Sequence, residues 1–436
     1  MKKALAFLLA LMMVLAATAC TKAAPAATTT AEEPATAATE AKPAEEGTKL
    51  PASITYVTLG STGLDTLKKA AELFEQETGV KVNIEDWAYS DAYQKILTLA
   101  EAGNMPDAMY GFASWTREFK EAGYIVCAED YISKDLYNDF SEAARGVCSA
   151  DGKMWTLPSY MSVRTVLFNK NMLDAAGVSV PTTWEEFLSI APKLYDPTNG
   201  KYAYSLVAGQ AKNTLDCFLP ILWAYGADVT NADGTANGFN NDKGVAALQM
   251  YCDIAKYAVP DYGEASINET QSNFTNQVAA AYFHNAQGLR ALSDAGQDYS
   301  WATVAEPLAG PDGQKYALGV MDIDILFATG NEAITAKFLE LWHTADYQGL
   351  VIEQTGWVPN QQSYFDARPA FSDASNTMVA PFCALEPIAK FKPSIVGWEE
   401  IQKTMADCIT KAVMGEMTAA EAFSTAGAEV DRLLVG

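Results

Sequence analysis

Residues 152–194 read GKMWTLPSYMSVRTVLFNKNMLDAAGVSVPTTWEEFLSIAPKL, and this stretch determines the predicted architecture. The run Trp155-Thr156-Leu157 is aromatic and β-branched, which favours a strand, and Pro158 then interrupts the strand's hydrogen bonds. We expect the chain to continue in extended form over 160–168. Because alternate residues on a strand share a face, one face of this segment carries Tyr160, Ser162 and Arg164. A polar and aromatic face is unusual for a strand in a simple core.

Two short helices are predicted after this strand. The turn Asn169-Lys170-Asn171 leads into the first, which ends at Gly177, a residue suited to a left-handed helix cap. The second begins with Thr183 and Glu186 at the spacing of a capping box. Its apolar side chains recur at helical spacing and form one stripe, which consists of Trp184, Phe187, Leu188, Ala191 and Leu194.

The order of these features resembles the hinge segment of extracellular solute-binding proteins of the maltose-binding type. The matching positions are Gly152-Lys153, Trp155, Pro158, Phe168-Asn169-Lys170, Ala176-Gly177, Pro181 and Thr183-Trp184-Glu185-Glu186. The resemblance implies an α/β, two-lobed periplasmic-binding-protein-like fold of type II. Mixed sheets flanked by helices and a hinge of two to three crossing segments are expected with it. The similarity covers roughly residues 52–436 and includes the terminal helix signature at 415–421.

The folded part begins with a predicted strand–helix–strand unit, which implies a parallel sheet. Its strands are expected at 54–58 and 80–84, and a third strand is expected from Pro106. Ligands in open α/β sheets gather beyond the carboxyl ends of the strands. That rule selects Ser61, Thr62, Asp86, Trp87, Tyr89, Phe112 and Trp115.

Length and charge exclude several classes of protein. A chain of 436 residues is too long for one small core, so two lobes are expected. A formal net charge of −24 disfavours binding to nucleic acid and to anionic membrane surfaces, because the protein has no excess of cations to neutralise phosphates. With 49% hydrophobic residues, the composition is that of a globular protein.

The N-terminus has the pattern of an export signal. Lys2-Lys3 precede an apolar run at 4–16, and the small residues Ala17-Thr18-Ala19 precede Cys20. This order resembles a bacterial lipobox and predicts a lipoprotein signal peptide at 1–19, with lipid attachment at Cys20. An ordinary secretory signal is the alternative. Residues 20–50 contain almost no large apolar side chains, so we expect a disordered tether there.

The lobe boundaries follow from two expected chain crossings, one at the strand containing Tyr160 and one near Val304. Lobe 1 is predicted to comprise 51–158 plus 306–345, and lobe 2 to comprise 159–305 plus 346–436. In the apolar run 318–327, Asp322 and Asp324 must be compensated or face a wet cleft.

The chain lacks the motifs of common catalytic and metal sites. It has only two histidines, His284 and His343, and no HExxH, GxSxG or Walker sequence. Six cysteines follow Cys20 without zinc-ligand spacing, and they can be disulfides or buried thiols. The Asn/Asp/Gly-rich segment 226–244 is better explained by turns than by a calcium site. We therefore expect no metal, no cofactor and no enzyme activity.

The nine Trp and twenty Tyr suggest what the chain binds. Aromatic faces stack on the C–H faces of sugar rings, while polar side chains bind the hydroxyls. Core packing is the better explanation for Trp155 and Trp184, which lie on apolar faces. The remaining aromatic and polar candidates predict a ligand-binding site consisting of Trp87, Trp115, Tyr160, Arg164, Trp223, His284, Asp322, Trp357 and Trp398.

These candidates have different origins. Trp87 and Trp115 follow from the strand-end rule, and Tyr160 and Arg164 from the hinge face. The polar candidates His284 and Asp322 are chosen because each lies at the end of a run of apolar residues that is expected to be buried. Trp357 lies in a loop expected to be exposed, Trp223 lies in an apolar helix, and Trp398 is a position that the family resemblance implies.

The resemblance implies a binding lipoprotein that captures a carbohydrate, an oligosaccharide, between two lobes and delivers it to an ABC importer. Its partners would be the sugar and the membrane permease subunits, with no nucleic acid. A monomer, exported and lipid-anchored to the outer face of the bacterial cytoplasmic membrane, is expected. The alternatives are a binding protein for a polyamine, glycerol phosphate, peptide or ferric ion, a surface glycosidase, and an adhesive lipoprotein without a pocket.

Overall fold

A computed structural model describes residues 50–435. The predicted signal peptide at 1–19, the lipid attachment at Cys20 and the tether up to residue 49 lie outside the described residues. Within 50–435, no helix combines the length and the apolar character that crossing a membrane requires.

Ten strands occur in this part of the chain. They are β1 (Ser53–Leu59), β2 (Lys81–Trp87), β3 (Ala108–Phe112), β4 (Ser149–Ala150), β5 (Lys153–Met154), β6 (Leu157–Asn169), β7 (Ala281–His284), β8 (Ala302–Val304), β9 (Ala317–Leu326) and β10 (Ala389–Phe391). The predicted strands at 54–58, 80–84 and after Pro106 are confirmed as β1, β2 and β3.

Seventeen α-helices connect and cover these strands within the described range. The first nine are α1 (Leu64–Thr78), α2 (Ala92–Glu101), α3 (Thr116–Glu121), α4 (Lys134–Asp139), α5 (Glu142–Val147), α6 (Lys170–Ala175), α7 (Trp184–Leu194), α8 (Ala211–Ala224) and α9 (Asp242–Ala255). The others are α10 (Ile267–Thr275), α11 (Gln287–Asp294), α12 (Glu332–Trp342), α13 (Gln348–Thr355), α14 (Gln362–Ala367), α15 (Ala380–Cys383), α16 (Trp398–Val413) and α17 (Ala419–Val435).

The capping box of α7 is confirmed with one change. Thr183 caps the helix, and its hydroxyl accepts a hydrogen bond from the Glu186 backbone N–H at 3.0 Å. The Glu186 carboxylate reaches back to the backbone N–H of Thr182 at 2.7 Å, one residue before the cap. These two bonds satisfy N–H groups that the first turn of a helix cannot pair internally.

Eight strands form one mixed sheet in the order β2-β1-β3-β9-β6-β7, with β10 paired to β9 and β8 paired to β6. The β1–β2 and β1–β3 pairs are parallel, as the strand–helix–strand pattern predicted. Strand β9 runs antiparallel to both β3 and β6. The observed α/β architecture with a mixed sheet and flanking helices agrees with the predicted fold class.

Two long strands, β6 and β9, run between the two halves of this sheet. The first half of β6 pairs with β9, and its second half pairs with β7 and β8. Strand β9 pairs with β3 at its end and with β10 at its start. The crossing expected near Val304 is therefore wrong. Val304 ends the short strand β8, whose three residues pair with Leu167, Phe168 and Asn169 of β6, and β9 makes the crossing instead.

The buried apolar side chains form two groups. The first cluster gathers side chains of β1, β3, α1, α12 and α13, such as Val57, Leu67 and Phe338. The second cluster gathers side chains of α7, α8, α9, α16 and α17, such as Phe218 and Ile409. Strand β9 serves both, because Ile323 packs in the first cluster and Leu318 in the second.

The clusters depart from the expected lobe boundaries in three segments. One is 274–301, which was assigned to lobe 2, although its Phe274, Leu289 and Trp301 side chains pack in the first cluster. Residues 346–385 were assigned to lobe 2, but their buried side chains, including Ile352, Tyr364 and Phe382, pack in the first cluster. Leu308 and Leu318, assigned to lobe 1, pack in the second cluster. The cause for these last two segments is that the chain returns to the first half through β9 and leaves it near β10. We therefore propose lobe boundaries that follow the clusters.

All six cysteines of the described part are free thiols, and four of them are buried. Of the two explanations left open by the sequence, buried thiols fit these positions. Burial raises the pKa of the Cys148 thiol well above its usual value, so this group stays protonated and behaves as a small apolar side chain.

Candidate ligand-binding site

A cavity of about 550 Å³ lies between elements of the two clusters. Its lining from the side of the first cluster includes Tyr89, Tyr93, Phe112 and Trp115. The other side contributes the start of α8 and the first turns of α16, and the crossing strand β9 borders the cavity at Gly319, Val320 and Met321. The cavity thus lies where the carboxyl ends of β2 and β3 meet the second half of the molecule.

One wall of the cavity is aromatic. Trp115 belongs to a short 3₁₀ turn that directly follows β3, and its ring lies edge-to-face with Phe112 at 5.1 Å. Tyr89 stacks on the other side of Phe112 at 6.2 Å. Gly111 allows this arrangement, because a Cβ atom there would come within 3.0 Å of the Trp115 ring. Flat apolar faces of this kind are suited to stacking against a ring-shaped ligand.

The opposite wall is formed by the start of α16. Trp398 is its first residue and is 1% exposed, in the second cluster. Glu399 and Gln402 lie one turn apart beside it, and the Gln402 amide N–H donates to the Glu399 carboxylate at 3.3 Å. The Gln402 side-chain oxygen is buried and has no hydrogen-bond partner among the described residues. A buried acceptor in a cavity lining is costly unless a ligand or water donates to it.

Contacts across the cavity join the two halves of the molecule. The Trp115 indole N–H donates to Glu399 Oε1 at 3.1 Å, and the Arg117 backbone N–H donates to the Ser394 hydroxyl at 3.2 Å. The Lys212 ammonium lies 3.7 Å from the centre of the Phe112 ring. The described conformation therefore has its two halves in contact at this rim.

A charged group lies behind the cavity around Asp216. This carboxylate is 1% exposed and is bound by Lys392 at 2.9 Å and by Arg164 at 3.2 Å. Burial alone would raise the pKa of Asp216, but the Lys392 and Arg164 cations hold it below its usual value. Asp216 is therefore ionised at neutral pH and fixes both cations in place.

Asp322 faces the same region from β9. The Tyr110 hydroxyl donates to its Oδ2 at 2.6 Å, and its Oδ1 is buried without a partner among the described residues. Burial raises the pKa of Asp322, against the opposing effect of Lys212 and Arg164. Asp324, two residues on, is compensated within the core by Tyr56 and His343. The expectation for these two carboxylates is thus confirmed: one is paired in the core and the other is near the cleft.

Of the nine predicted site residues, Trp115 and Trp398 line the cavity, and four others lie beside it. The Tyr160 ring on the hinge strand packs edge-to-face against Tyr110, with ring centres 5.5 Å apart, and at a tilt against Trp357, with ring centres 4.4 Å apart. The three rings form one aromatic cluster. Trp357 was expected to be exposed, but it is half-buried because it packs on Tyr160. Arg164 and Asp322 lie in the charged group.

His284 is a buried neutral group. Its ring stacks on Tyr282 at 5.5 Å, and its Nδ1 has no partner among the described residues. Burial, together with the Arg164 cation, lowers the pKa of His284 to about 3. Its position on β7, opposite Thr165 of β6, places it at the hinge and outside the cavity lining.

Trp87 and Trp223 do not line the cavity. The Trp87 indole ends β2 but folds back, donating to Glu85 at 2.8 Å beneath the Lys95 ammonium. Trp223 is 1% exposed in the second cluster, where its N–H donates to Asp228 at 2.9 Å. Its helix simply buries it, since the apolar residues of α8 face the core on nearly every side.

Several lining residues were absent from the nine candidates. Tyr89 and Phe112 were selected by the strand-end rule, which names the correct loops. Lys212 carries one local signal, since a cation in the first turn of a helix opposes the helix dipole and needs another reason to be there. The sequences around Lys392 and Gln402 contain no local signal of this kind, because the positions of these residues depend on how distant segments pack.

Comparisons with known proteins identify the family of this chain. The family model described as bacterial extracellular solute-binding protein matches residues 60–348. The chain belongs to this family. A putative binding protein of Brucella abortus is 25% identical over 374 residues, which cover 85% of this chain and 89% of that protein.

Two further matches are informative about this solute-binding protein. The diacetylchitobiose binding protein of Streptomyces coelicolor is 22% identical over 317 residues, covering 71% of this chain and 73% of that one. A crystal structure of an ABC transporter solute-binding protein from Thermotoga lettingae, bound with α-D-tagatose, has a TM-score of 0.75 at 21% identity. That match covers 88% of this chain and 100% of that chain, and it supports the fold.

Within residues 50–435, no group of three or more His, Cys, Asp or Glu side chains is arranged to hold a metal ion. The Asn-rich segment 226–244 instead makes turns, in which the Asn231 side chain accepts from the backbone N–H of Thr235 at 2.9 Å.

Proposed function

We propose that this solute-binding protein captures a carbohydrate, an oligosaccharide, in the cavity between its two clusters and delivers it to the permease subunits of an ABC importer. The observation that carries this proposal is the aromatic lining of the cavity, to which the first cluster contributes Phe112 and Trp115 and the second cluster contributes Trp398. A sugar ring placed between them would bury its C–H faces on the aromatic rings.

The polar groups of the cavity suit a hydroxyl-rich ligand. The Gln402 side-chain oxygen in the cavity lining can accept a hydrogen bond, and Asp322 Oδ1, beside the cavity, is a second buried acceptor without a partner among the described residues. Hydroxyl groups of a saccharide would satisfy both, which removes the cost of leaving buried acceptors unpaired. The name of the Streptomyces relative, a diacetylchitobiose binding protein, supports the same class of ligand.

We propose binding without catalysis, and the acidic groups of the cavity support this. Glycoside hydrolysis uses two carboxyl groups that flank the scissile bond. Of the described residues, Glu399 alone supplies a carboxylate to the cavity lining, and it is engaged by Trp115 and Gln402. A polyamine ligand, which needs several carboxylates, fits a lining with two lysines poorly.

The cellular setting is part of the proposal. The signal peptide at 1–19 and lipid attachment at Cys20 would hold a monomer at the outer face of the cytoplasmic membrane, with 20–50 as the tether. Fractionation of cells expressing the Cys20→Ser variant measures this directly. The variant should leave the membrane fraction, and its retention there would mean that another anchor exists.

Isothermal titration calorimetry against neutral α- and β-linked di- and trisaccharides tests the ligand class, with a product assay on the same mixtures. Binding with the saccharide recovered intact is the expected result. Release of shorter sugars would show that the protein is a glycosidase. A binding signal with spermidine or glycerol phosphate, and with none of the saccharides, would identify a different class of ligand.

A further inference from the structure

Lys212 is a cation that the protein leaves uncompensated inside the cavity. It lies in the first turn of α8 and lines the cavity opposite Phe112, whose ring is 3.7 Å from its ammonium. It forms no ion pair or hydrogen bond through Nζ with any residue of 50–435. An aromatic face binds an ammonium less strongly than a carboxylate does. The Phe112 ring therefore offsets only part of the desolvation free energy of the Lys212 ammonium.

The other cations of this region are already paired. Lys392 and Arg164 share the Asp216 carboxylate, each with a direct contact. Asp322, with its raised pKa, takes its hydrogen bond from Tyr110, and Glu399 in the cavity lining takes its hydrogen bonds from Trp115 and Gln402. Of the three cations, Lys212 is the one that makes no direct contact with a carboxylate of the described residues.

We infer, on the basis of the proposed function, that the cargo is an acidic saccharide whose ring carboxylate binds Lys212. One carboxylate can pair with this one ammonium, whereas a phosphate dianion needs more donors than one lysine offers. A neutral saccharide would leave the ammonium without a carboxylate in direct contact. The aromatic walls require that the carboxylate be attached to a ring, as in a uronic acid.

The net charge of the chain makes this cation more informative. The formal charge is −24, with 30 lysines and arginines against 54 acidic residues. Two of those cations, Lys212 and Lys392, line one cavity of this acidic protein, and Arg164 lies beside it. Surface acidity promotes solubility, but it gives no reason to place an unpaired lysine between two aromatic walls.

The pH dependence of saccharide affinity distinguishes a ligand-binding role of Lys212 from a purely structural one. Burial, together with the Lys392 cation, lowers the pKa of Lys212 to about 8. Asp216 and Asp322 oppose that shift and Arg164 adds to it, while Glu399 borders the same cavity. Lys212 is protonated, and so able to pair with a carboxylate, mainly below pH 8, and it loses this charge as the pH rises above 8. Affinity for an acidic saccharide should fall in that range by up to about tenfold per pH unit.

The experiment compares matched ligands by calorimetry at pH 7: α-1,4-digalacturonate with α-1,4-galactobiose, and cellobiouronic acid with cellobiose. We expect an acidic member to bind at least about tenfold more tightly than its neutral match. Equal or tighter binding of the neutral members overturns the inference and leaves the proposed function standing. Binding of acetate alone as tightly as the acidic sugars overturns the saccharide part, and no binding by any sugar overturns both proposals.

The variant Lys212→Gln assigns the effect to this residue. Its affinity for the acidic sugar should fall roughly ten- to a hundredfold and lose its decline above pH 8, with affinity for the neutral match within about twofold. Lys212→Arg should keep the acidic preference without that decline, because arginine stays charged. Lys170→Gln, at an exposed lysine on α6, is the matched control. An acidic preference that survives in Lys212→Gln overturns the assignment, provided a thermal melt shows that this variant is folded.

Discussion

Trp398 and Trp223 allow stacking on a ligand to be separated from burial in the core. Both indoles are 1% exposed and both pack in the second cluster, but only Trp398 lines the cavity. Trp398→Leu should lower the affinity for the bound saccharide about tenfold, since leucine fills much of the space without offering a flat face. Calorimetry below the melting temperature of the variant measures this.

Trp223→Leu is the control for the loss of a buried indole. It should lower the melting temperature, because it leaves a void and removes the donor to Asp228, yet bind the saccharide as the natural protein does. Equal losses of affinity in both variants would show that the Trp398 effect comes from general destabilisation.

Asp324 illustrates how a charge is kept inside a core. It is fully buried on β9, where the Tyr56 hydroxyl donates to one oxygen at 2.5 Å and His343 Nε2 lies 2.9 Å from the other. Asp324→Ala should lower the free energy of unfolding by about 3 kcal/mol, because two buried polar groups lose their partner. Urea unfolding is the measurement. Asp233→Ala, at an exposed residue, should change it by less than about 0.5 kcal/mol.

Sequence reasoning at single positions succeeded where the decisive interactions are local. Thr183 and Glu186 are three residues apart, so their capping could be predicted from spacing alone. The position of Trp115 in the cavity lining could be predicted because this residue follows a strand whose direction was correctly predicted. Lys212 and Gln402 could not be assigned, because what matters is the absence of a partner in three dimensions. Trp223 was misplaced because an apolar helix buried on nearly every side gives no facial preference.

Among the elements, the crossing strands β6 and β9 meet β10 at one sensitive glycine. Gly319 of β9 pairs with Phe391 of β10, and a Cβ atom there would lie 2.4 Å from the Phe391 ring. Gly319→Ala should push that ring into the cavity that both residues line, and so lower saccharide affinity several-fold. The associated loss of unfolding free energy should be about 1–3 kcal/mol.

Calorimetry and urea unfolding on the Gly319→Ala protein check both numbers. Gly146→Ala is the matched control, because no atom lies within 4 Å of its added Cβ and its backbone is not left-handed. That control should bind normally and be equally or slightly more stable. Normal saccharide binding by Gly319→Ala would mean that Phe391 can move without affecting the site.

At the level of elements, β6 was predictable and β9 was not. The segment 157–169 has turn residues on both sides and an alternating face, so its local sequence is sufficient to predict an extended conformation. Asp322 and Asp324 interrupt the apolar run of β9, and its pairing with β3 and β6 joins residues more than 150 positions apart. The crossing was therefore expected near Val304, and the segment 346–385 was assigned to the wrong half.

At the scale of the whole molecule, the two halves are held together at the cavity rim by few contacts. Those contacts are one indole hydrogen bond to Glu399, one backbone hydrogen bond to Ser394, and Lys212 over Phe112. Each contributes on the order of 1 kcal/mol, so separating the halves costs only a few kcal/mol. The hinge strands β6 and β9 allow such a movement without breaking either cluster.

A bound saccharide would touch both walls and favour the closed arrangement, because it binds that state more tightly than an open one. Small-angle X-ray scattering should therefore show a smaller radius of gyration with saturating saccharide than without. Trp398→Leu at the same saccharide concentration, chosen below its weakened dissociation constant, should show a much smaller decrease. An unchanged radius for the natural protein, under conditions where calorimetry shows full occupancy, would mean that the ligand enters a cavity that is already closed.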